Sequence, residues 1–200
     1  MTRAVLALAV GLAACGGTAT GGEAVDSAFQ LGDLVGLIGV AADETSWLVD
    51  HPGGAGPTDG VIGLVSTERG IETLGTARLV DGVVWEQVRL DEHSGWLPRA
   101  GLAVLGEAED VTHLYRGVRA PTIAGLALEI ASEIEASRLV LVDESAGGGV
   151  VYDVLGLGDD SVAGFRVEVI AVGGSGGYGP ALVMRTPLCS RGIGEDGRCL

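Results

Sequence analysis

Short runs of hydrophobic residues alternate with polar residues along much of the chain, a pattern typical of half-buried β-strands. In residues 83–90 the two alternating sets are Val84, Glu86, Val88 and Leu90 against Trp85, Gln87 and Arg89. Residues 70–80 predict a strand pair, residues 91–95 a turn, and residues 95–98 the start of a last short strand. Strands this short and this evenly spaced predict a small β-barrel over residues 28–106.

The second half opens with the period of a helix. Within residues 120–138, apolar residues recur at helical spacing: Ile123, Leu126, Ala127, Ile130, Ala131 and Ile134. Thr122 is the predicted N-cap, and Arg138 falls in the predicted last turn, where the helix dipole favours a cation. Strand-like segments follow at 138–143, 149–157, 164–173 and 180–188. This order predicts an α+β domain over residues 107–200, with the helix on one face of an antiparallel sheet. Its hairpin connection is expected at 156–164.

Composition and charge argue against two classes of partner. The formal net charge is -15 at pH 7. This field would repel a phosphate backbone, so a nucleic acid is not an expected partner. The same repulsion argues against binding by charge to an anionic membrane surface. Hydrophobic residues make up 47% of the chain, which is enough for a packed core.

The first fourteen residues have the order of a secretory signal. Arg3 is followed by an apolar centre and by the small residues Ala13 and Ala14. Residues 12–15, LAAC, resemble a bacterial lipobox, and this resemblance implies that Cys15 is acylated and becomes the new N-terminus. The chain would then be anchored to the extracytoplasmic side of the cell membrane by its acyl chains. An ordinary signal peptide with an incidental cysteine is the alternative. Residues 15–27 are predicted to form a flexible tether.

With Cys15 lipidated, two cysteines remain. Cys189 and Cys199 enclose a loop rich in glycine and charge, and an oxidising compartment favours a disulfide between them. Loop-closure entropy gives this bond about 2–3 kcal/mol of stabilisation. Two free thiols are the alternative. A metal site needs more ligands, and no histidine (His51, His93, His113) lies near this pair in the sequence. No metal or other cofactor is expected.

Residues 61–102 carry a family resemblance. The order VIGLV, RGIETLG, VVWEQVRL and SGWLPRAGL is similar to that of bacterial SH3-like (SH3b) domains. The matching positions are Ile62, Gly63, Gly70, Leu74, Gly75, Trp85, Val88, Leu90, Gly95, Trp96 and Leu102. The family's opening segment aligns with residues 48–60, where only an apolar start and a Pro/Gly loop match. The resemblance implies a barrel of five to seven strands and non-catalytic binding of cell-wall peptidoglycan or a peptide.

Three residues are candidates for ligand contact. Trp85 and Trp96 are of the type that recognises cell-wall components, although either could instead fill the barrel core. His51 lies in the predicted loop, where it could contact a ligand or simply face solvent. These three residues are the predicted binding residues of the first half.

The densest group of carboxylates is Asp153, Asp159 and Asp160. Its spacing does not match a calcium-binding loop, and tight-turn hydrogen bonding explains it better. Whether the turn of Gly158, Asp159, Asp160 and Ser161 is a site or only a turn stays open.

Signatures of catalysis are weak throughout. No cysteine remains as a free nucleophile, and GGSGG at 173–177 lacks the context of a nucleophile elbow. Paired acids for glycoside hydrolysis remain an alternative.

The predicted fold is therefore mainly β with α+β: an SH3-like barrel followed by a domain of one helix and an antiparallel sheet. The predicted function is that of a non-catalytic envelope lipoprotein that binds peptidoglycan or a peptide. Two alternatives stay open. In one, the chain is a structural or assembly lipoprotein whose second domain docks an envelope protein. In the other, it is an envelope hydrolase.

Overall fold

A computed structural model describes residues 21–54, 56, 61–68, 70–145 and 148–200. Within these ranges the chain is mainly β, as predicted, with thirteen strands and one α-helix. The strands are β1 (Glu23–Val25), β2 (Leu34–Leu37), β3 (Ser46–Leu48), β4 (Ile62–Leu64), β5 (Ile71–Val80), β6 (Val83–Leu90), β7 (His93–Pro98), β8 (Leu102–Leu105), β9 (Glu109–Asp110), β10 (Arg138–Glu144), β11 (Gly149–Leu155), β12 (Val162–Gly174) and β13 (Gly177–Cys189). The helix α1 spans Ile123–Ser132, and short 3-10 turns lie at Arg99–Gly101 and Thr112–Leu114.

The predicted signal (residues 1–14), Cys15 and the first part of the predicted tether lie outside the described residues, as do residues 57–60 of the Pro/Gly loop. The end of the predicted tether is described, and Glu23–Val25 forms strand β1 against Ala77, Arg78 and Leu79 of β5. No helix of the described part is long and apolar enough to span a membrane.

One antiparallel sheet contains eleven of the strands. Its order is β10-β11-β12-β13-β8-β2-β5-β6-β7, with β1 added to β5 and β9 added to β13. Strands β3 and β4 form a second, two-stranded sheet. Val49, directly after β3, joins this sheet to β7: Val49 N–H donates to the Trp96 carbonyl (3.2 Å), and Trp96 N–H donates to the Val49 carbonyl (2.7 Å).

The described strands do not close into a barrel, which differs from the small barrel predicted for residues 28–106. The reason lies at β8, which pairs with β2 on one edge and with β13 on the other. Val104 of β8 faces Cys189 of β13, and Leu105 faces Leu188. The edge of the first half is thus occupied by a strand of the second half.

Strand β5 also differs from its prediction. Residues 70–80 were expected to form a strand pair, but Ile71–Val80 is one continuous strand. Its register against β6 shifts between Thr73 and Ala77, and Gly75 inside this stretch has a φ of 65°. A bulge at a glycine lets one long strand bend, where the sequence suggested a turn.

Helix α1 is shorter than the predicted 120–138, but its start and its face are as predicted. The Thr122 side chain accepts a hydrogen bond from Gly125 N–H (3.0 Å), as an N-cap does. The buried residues are Leu126, Ala127, Ile130 and Ala131, which pack against strands β11, β12 and β13. Arg138 is not in the last turn. It begins β10, and its guanidinium donates to the Gly39 carbonyl (3.1 Å).

The two halves meet through buried polar contacts. Asp153 of β11 and Arg166 of β12 form an ion pair with two hydrogen bonds, of 2.7 and 2.9 Å. Arg166 also donates to the Leu37 carbonyl (2.8 Å), and Asp153 accepts from Gly39 N–H (2.9 Å). Asp153 is 0% exposed, and the Arg166 side chain is 6% exposed. The pair therefore ties the second half to the end of β2.

The outer edge of β10 is also covered by the first half. Ala42 N–H donates to the Leu141 carbonyl (2.9 Å), and the buried Ser66 hydroxyl donates to the Val142 carbonyl (2.6 Å). A small apolar cluster of Ile38, Ala103 and Leu188 lies at the same junction. The predicted boundary near residue 106 falls between β8 and β9, but hydrogen bonds cross it at several places.

The structure places Cys189 and Cys199 at disulfide distance, as predicted, with their Cα atoms 5.0 Å apart. Cys189 is fully buried at the end of β13. The enclosed loop is held by further hydrogen bonds, among them Ser190 N–H to the Ser161 carbonyl (2.9 Å). The bond therefore fixes the C-terminal loop beside the β11–β12 connection.

Candidate binding site: a tryptophan groove

All three tryptophans of the chain lie on one face of strands β3, β6 and β7, whose two sheets are joined by the Val49–Trp96 bridge. Trp85 is directly opposite Pro98, and Trp96 is opposite Gln87. Paired residues and residues two apart share a face, so these side chains lie together. Trp47 shares this face through Val49, the residue that faces Trp96. The other face of the same strands is the core, formed by Leu48, Val88 and Leu97.

A groove of about 270 Å³ opens on this face. Strand β3 supplies Trp47, strand β6 supplies Trp85, and β7 supplies Pro98. The full lining is Thr45, Ser46, Trp47, Val49, Gly54, Gly56, Trp85 and Pro98. We call this the tryptophan groove. Its described lining has no ionisable side chain, so it is suited to a neutral ligand held by aromatic contact and hydrogen bonds.

Two glycines fix the position of Trp47. A Cβ on Gly56 would lie 2.4 Å from Cγ of Trp47, and a Cβ on Gly63 would lie 3.1 Å from Cζ3. The indole ring therefore packs directly on glycine backbone, where a larger residue would displace it. The glycines of the Pro/Gly loop and of β4 thus shape the groove through the ring they contact.

Trp85 carries a hydrogen-bond donor that the fold does not use. Its indole nitrogen is buried and has no hydrogen-bond partner among the described residues. A buried donor without a partner costs about 1–3 kcal/mol. Packing and not hydrogen bonding therefore holds this ring in place.

The predicted binding residues are only partly brought together. Trp85 lines the tryptophan groove, whereas Trp96 is half-buried on the same face but outside the groove lining. His51 is exposed and borders a different depression, lined by Gly22, His51, Pro52, Gly53, Leu79, Val80 and Asp81. Trp47 was missed by the sequence reasoning. The alternation of Trp47 and Val49 against Leu48, just before the Pro/Gly loop, is the signal that could have found it.

The three carboxylates of the second half do not form a site. Asp153 is used in the buried pair with Arg166, and Asp160 pairs at the surface with Arg191 (3.2 Å). Asp159 accepts hydrogen bonds from the backbone N–H and the hydroxyl of Ser161, both at 2.8 Å. These bonds lower the pKa of Asp159 below its ordinary value of 3.8. The geometry is that of an Asx turn, as turn chemistry predicted.

Metal binding has no candidate in the described part of the chain. No group of three or more His, Cys, Asp or Glu side chains there is arranged to hold an ion.

No protein-family model, no curated protein and no solved structure matches this chain. The resemblance to SH3b domains therefore rests on the residues themselves.

Proposed function

We propose that this chain is a cell-envelope lipoprotein that binds a neutral part of peptidoglycan, a glycan or a peptide, in the tryptophan groove without catalysis. The observation that carries the proposal is the gathering of all three tryptophans on one sheet face, two of them lining the groove. Single exposed apolar residues need no explanation, but clustered aromatic rings beside an open groove are typical of binding sites.

The SH3-like character of the first half is part of this proposal. Seven strands, β2 to β8, lie within residues 28–106, the range predicted for the SH3-like unit, and seven is the upper number that the family implies. Strands β5, β6 and β7 form an antiparallel meander, and Val49 links β7 to the β3–β4 pair. We interpret the first half as an SH3-like unit opened at β8 by strand β13, and the second half as its α+β companion.

Features near the two ends of the chain support an extracytoplasmic location. Residues 12–15 resemble a lipobox, and the Cys189–Cys199 pair at disulfide distance favours an oxidising compartment. Both features suit the extracytoplasmic side of a membrane. With two cysteines paired and Cys15 acylated, no thiol is left for a nucleophile, which argues against a cysteine peptidase.

Charge narrows the ligand class. The net charge of -15 opposes anionic ligands, and the groove lining offers no cation to attract them. Sugar rings and peptide segments present flat apolar faces, which suit the indole rings of the groove. A neutral segment of the wall polymer therefore fits the groove better than an acidic polymer of the envelope.

Co-sedimentation with purified peptidoglycan sacculi tests the proposal. The oxidised chain from Gly16 onward keeps every described residue and lacks only the signal and Cys15. We expect it to pellet in a saturable manner, and Trp85→Phe to weaken binding about fivefold, because about 1 kcal/mol of aromatic contact is lost. Trp96→Phe makes the same change on the same face outside the groove lining and should leave binding nearly unchanged.

The outcomes separate the candidate functions. Equal weakening of binding by both variants would indicate that the ligand contacts the whole tryptophan face and not the groove alone. No pelleting of the parent chain would contradict wall binding and turn attention to an assembly role, in which residues 107–200 dock an envelope protein. Release of soluble glycan fragments during the assay would instead indicate a hydrolase.

A further inference from the structure

The N-terminal segment is fixed to the sheet from Gly22 onward. Strand β1 begins at Glu23, which lies opposite Leu79 near the end of β5. The Gly22 carbonyl accepts a hydrogen bond from Arg78 (3.3 Å), and a Cβ on Gly22 would lie 2.4 Å from a methyl group of Val80. The chain therefore enters the fold at the turn between β5 and β6, in close contact with it.

A second set of bonds prevents this entry from sliding. The Ser27 hydroxyl and the Ala28 N–H donate to the buried Glu86 carboxylate (2.7 and 3.1 Å). Arg99 also donates to Glu86 (2.6 Å) and, through its other end, to the Asp26 carbonyl. The predicted tether of residues 15–27 is therefore shortened, because its last part belongs to the fold.

The predicted tether before Gly22 is short. Seven peptide units separate Cys15 from Gly22. A chain of this length spans at most about 25 Å when fully extended, and the predicted glycine-rich tether would average about 15 Å. If Cys15 carries the acyl chains, the point of entry cannot move farther than this from the bilayer surface.

One end of the molecule surrounds the point of entry. Gly22, His51, Pro52, Gly53, Leu79, Val80 and Asp81 border one depression there. Val83, at the start of β6, is 43% exposed beside it. We call this the entry end. We propose that the entry end faces the lipid bilayer and is held within about 25 Å of it. This inference rests on the proposed acylation of Cys15.

The position of the tryptophan groove follows from this orientation. Trp85 is two residues beyond Val83 on β6, a rise of about 7 Å, and Trp85 lines the groove. The groove thus lies near the bilayer, and its ligand has to come to the membrane surface. His51, a predicted ligand residue, lies at the entry end.

The charge of the chain indicates that this end stands off from the bilayer. Glu23 and Asp81 are exposed at the entry end, and the chain as a whole carries -15. An anionic surface repels such an end. The length of the tether, and not electrostatic attraction, therefore sets the distance between the entry end and the bilayer. The entry end is expected to lie in the aqueous layer next to the headgroups, without insertion.

Energy transfer from the acylated mature protein to a headgroup-labelled lipid tests the orientation. A donor dye is attached to Val83→Cys at the entry end or to Leu34→Cys, an exposed apolar position at the opposite end of β5. Leu34 lies opposite Glu72, eight residues before Val80 on β5, a rise of about 26 Å. In phosphatidylcholine vesicles we expect higher transfer from position 83 than from position 34. Circular dichroism confirms that both variants keep the fold.

A variant with a longer tether provides the control. Twenty Gly/Ser residues inserted between Thr20 and Gly21 raise the average reach from about 15 Å to about 29 Å, and the difference between the two positions should then shrink. Mass spectrometry of the same samples reports acylation. An acylated protein with equal transfer from both positions would overturn the orientation and leave the proposed function standing. A protein without the acyl mass would overturn the anchor and the orientation together.

Discussion

Among the described residues, each half of the molecule buries one carboxylate, and each of these carboxylates is paired with an arginine. Glu86 on β6 and Asp153 on β11 are both 0% exposed. The partner of Glu86, Arg99, keeps 29% of its side chain exposed, whereas Arg166 keeps only 6%. In the first pair the arginine is therefore partly exposed to solvent, whereas in the second pair both side chains are buried.

The partners of the two pairs show what each one does. Glu86 and Arg99 bind the segment of Asp26, Ser27 and Ala28, which belongs to the same half. The Asp153–Arg166 pair binds backbone groups of Leu37 and Gly39, which belong to the other half. One pair closes the entry of the chain, and the other fixes how the halves meet.

Neither pair is explained by stability alone. Burying two charges costs several kcal/mol per ion before any attraction is gained, and a well-packed apolar pair often does as well. Arg166 even leaves Nη1 buried without a partner among the described residues. The second pair instead fixes how the two halves are aligned. Its hydrogen bonds to Leu37 and Gly39 form in only one register between β2 and the β11–β12 ladder.

Breaking the second pair should have the largest effect. Asp153→Leu leaves the Arg166 charge buried and unpaired and removes the acceptor for Gly39 N–H. We expect the free energy of unfolding to fall by about 3–5 kcal/mol, measured by urea denaturation. All three tryptophans lie in the first half, so their fluorescence should report this loss although the mutation is in the second half.

A double variant checks the cause. Asp153→Leu combined with Arg166→Met removes both charges, and we expect it to recover a large part of the lost stability. If the double variant were no more stable than the single one, an unpaired charge would not be the reason for the loss. Tryptophan fluorescence that stays native while the second half unfolds would show that the halves are independent.

The disulfide supports the same junction by a covalent bond, and its loss should have the next largest effect. Cys189 lies opposite Val104, where β13 meets β8. Replacing Cys189 and Cys199 by serine should lower the free energy of unfolding by about 2–3 kcal/mol, because the unfolded chain is no longer closed into a loop. Urea denaturation of the oxidised and the reduced parent chain is the matched comparison. A difference below about 1 kcal/mol would contradict the entropic account.

The first pair should be less costly to break. Glu86→Gln removes the charge that Arg99, Ser27 and Ala28 share, but Arg99 can turn to water. We expect a loss of about 2 kcal/mol. Hydrogen exchange should also show weaker protection of the amides at residues 23–28. Glu72→Gln is the matched control, since Glu72 pairs with Arg89 on an exposed part of the sheet.

The control should lose less than about 1 kcal/mol, as surface pairs do. Equal losses in the two variants would show that burial of Glu86 adds nothing. Unchanged exchange at residues 23–28 would show that Glu86 does not hold the entry of the chain.

The sequence predicts the parts of the fold that depend on local pattern. Strands β10 to β13, the N-cap Thr122 and the buried face of α1 follow from residue spacing, and the structure has them, whereas the short strand β9 was not predicted. Arg138 shows the limit of this reasoning. Its charge suits a helix end, but the sheet takes it as the first residue of β10. Competition between a helix and a strand for one residue is decided by tertiary contacts.

The junction and the groove show why the rest was out of reach. The Asp153–Gly39 contact joins residues 114 positions apart, and no local pattern indicates such a partner. Trp85 could be identified as a candidate from its position in the resemblance. Of its neighbours, Trp47 lies just before the resemblance and Gly56 lies in its poorest part, so the groove appears only when β3 is placed beside β7.

Asp159 is an exposed carboxylate, in contrast to the two buried ones. Changes to its hydrogen bonds should therefore have the smallest effect on stability. Its pKa is lowered by hydrogen bonds from the Ser161 backbone N–H and hydroxyl and from the Val162 N–H. A lowered pKa in the folded state means that the charged form is favoured by folding. Its contribution to stability is therefore present above the unfolded pKa of 3.8 and is lost as the pH falls through the folded value.

Ser161→Ala removes only the hydroxyl donor and keeps both backbone donors. We expect the pKa of Asp159 to rise part of the way towards 3.8, measured by NMR titration of its carboxyl carbon. Asp110 is the matched control, because Thr112 lowers its pKa in the same way and it should not respond to the change. An unchanged pKa of Asp159 would assign the whole shift to the backbone. The turn would then hold its carboxylate by chain geometry alone, in contrast to Glu86, whose partners include two side chains.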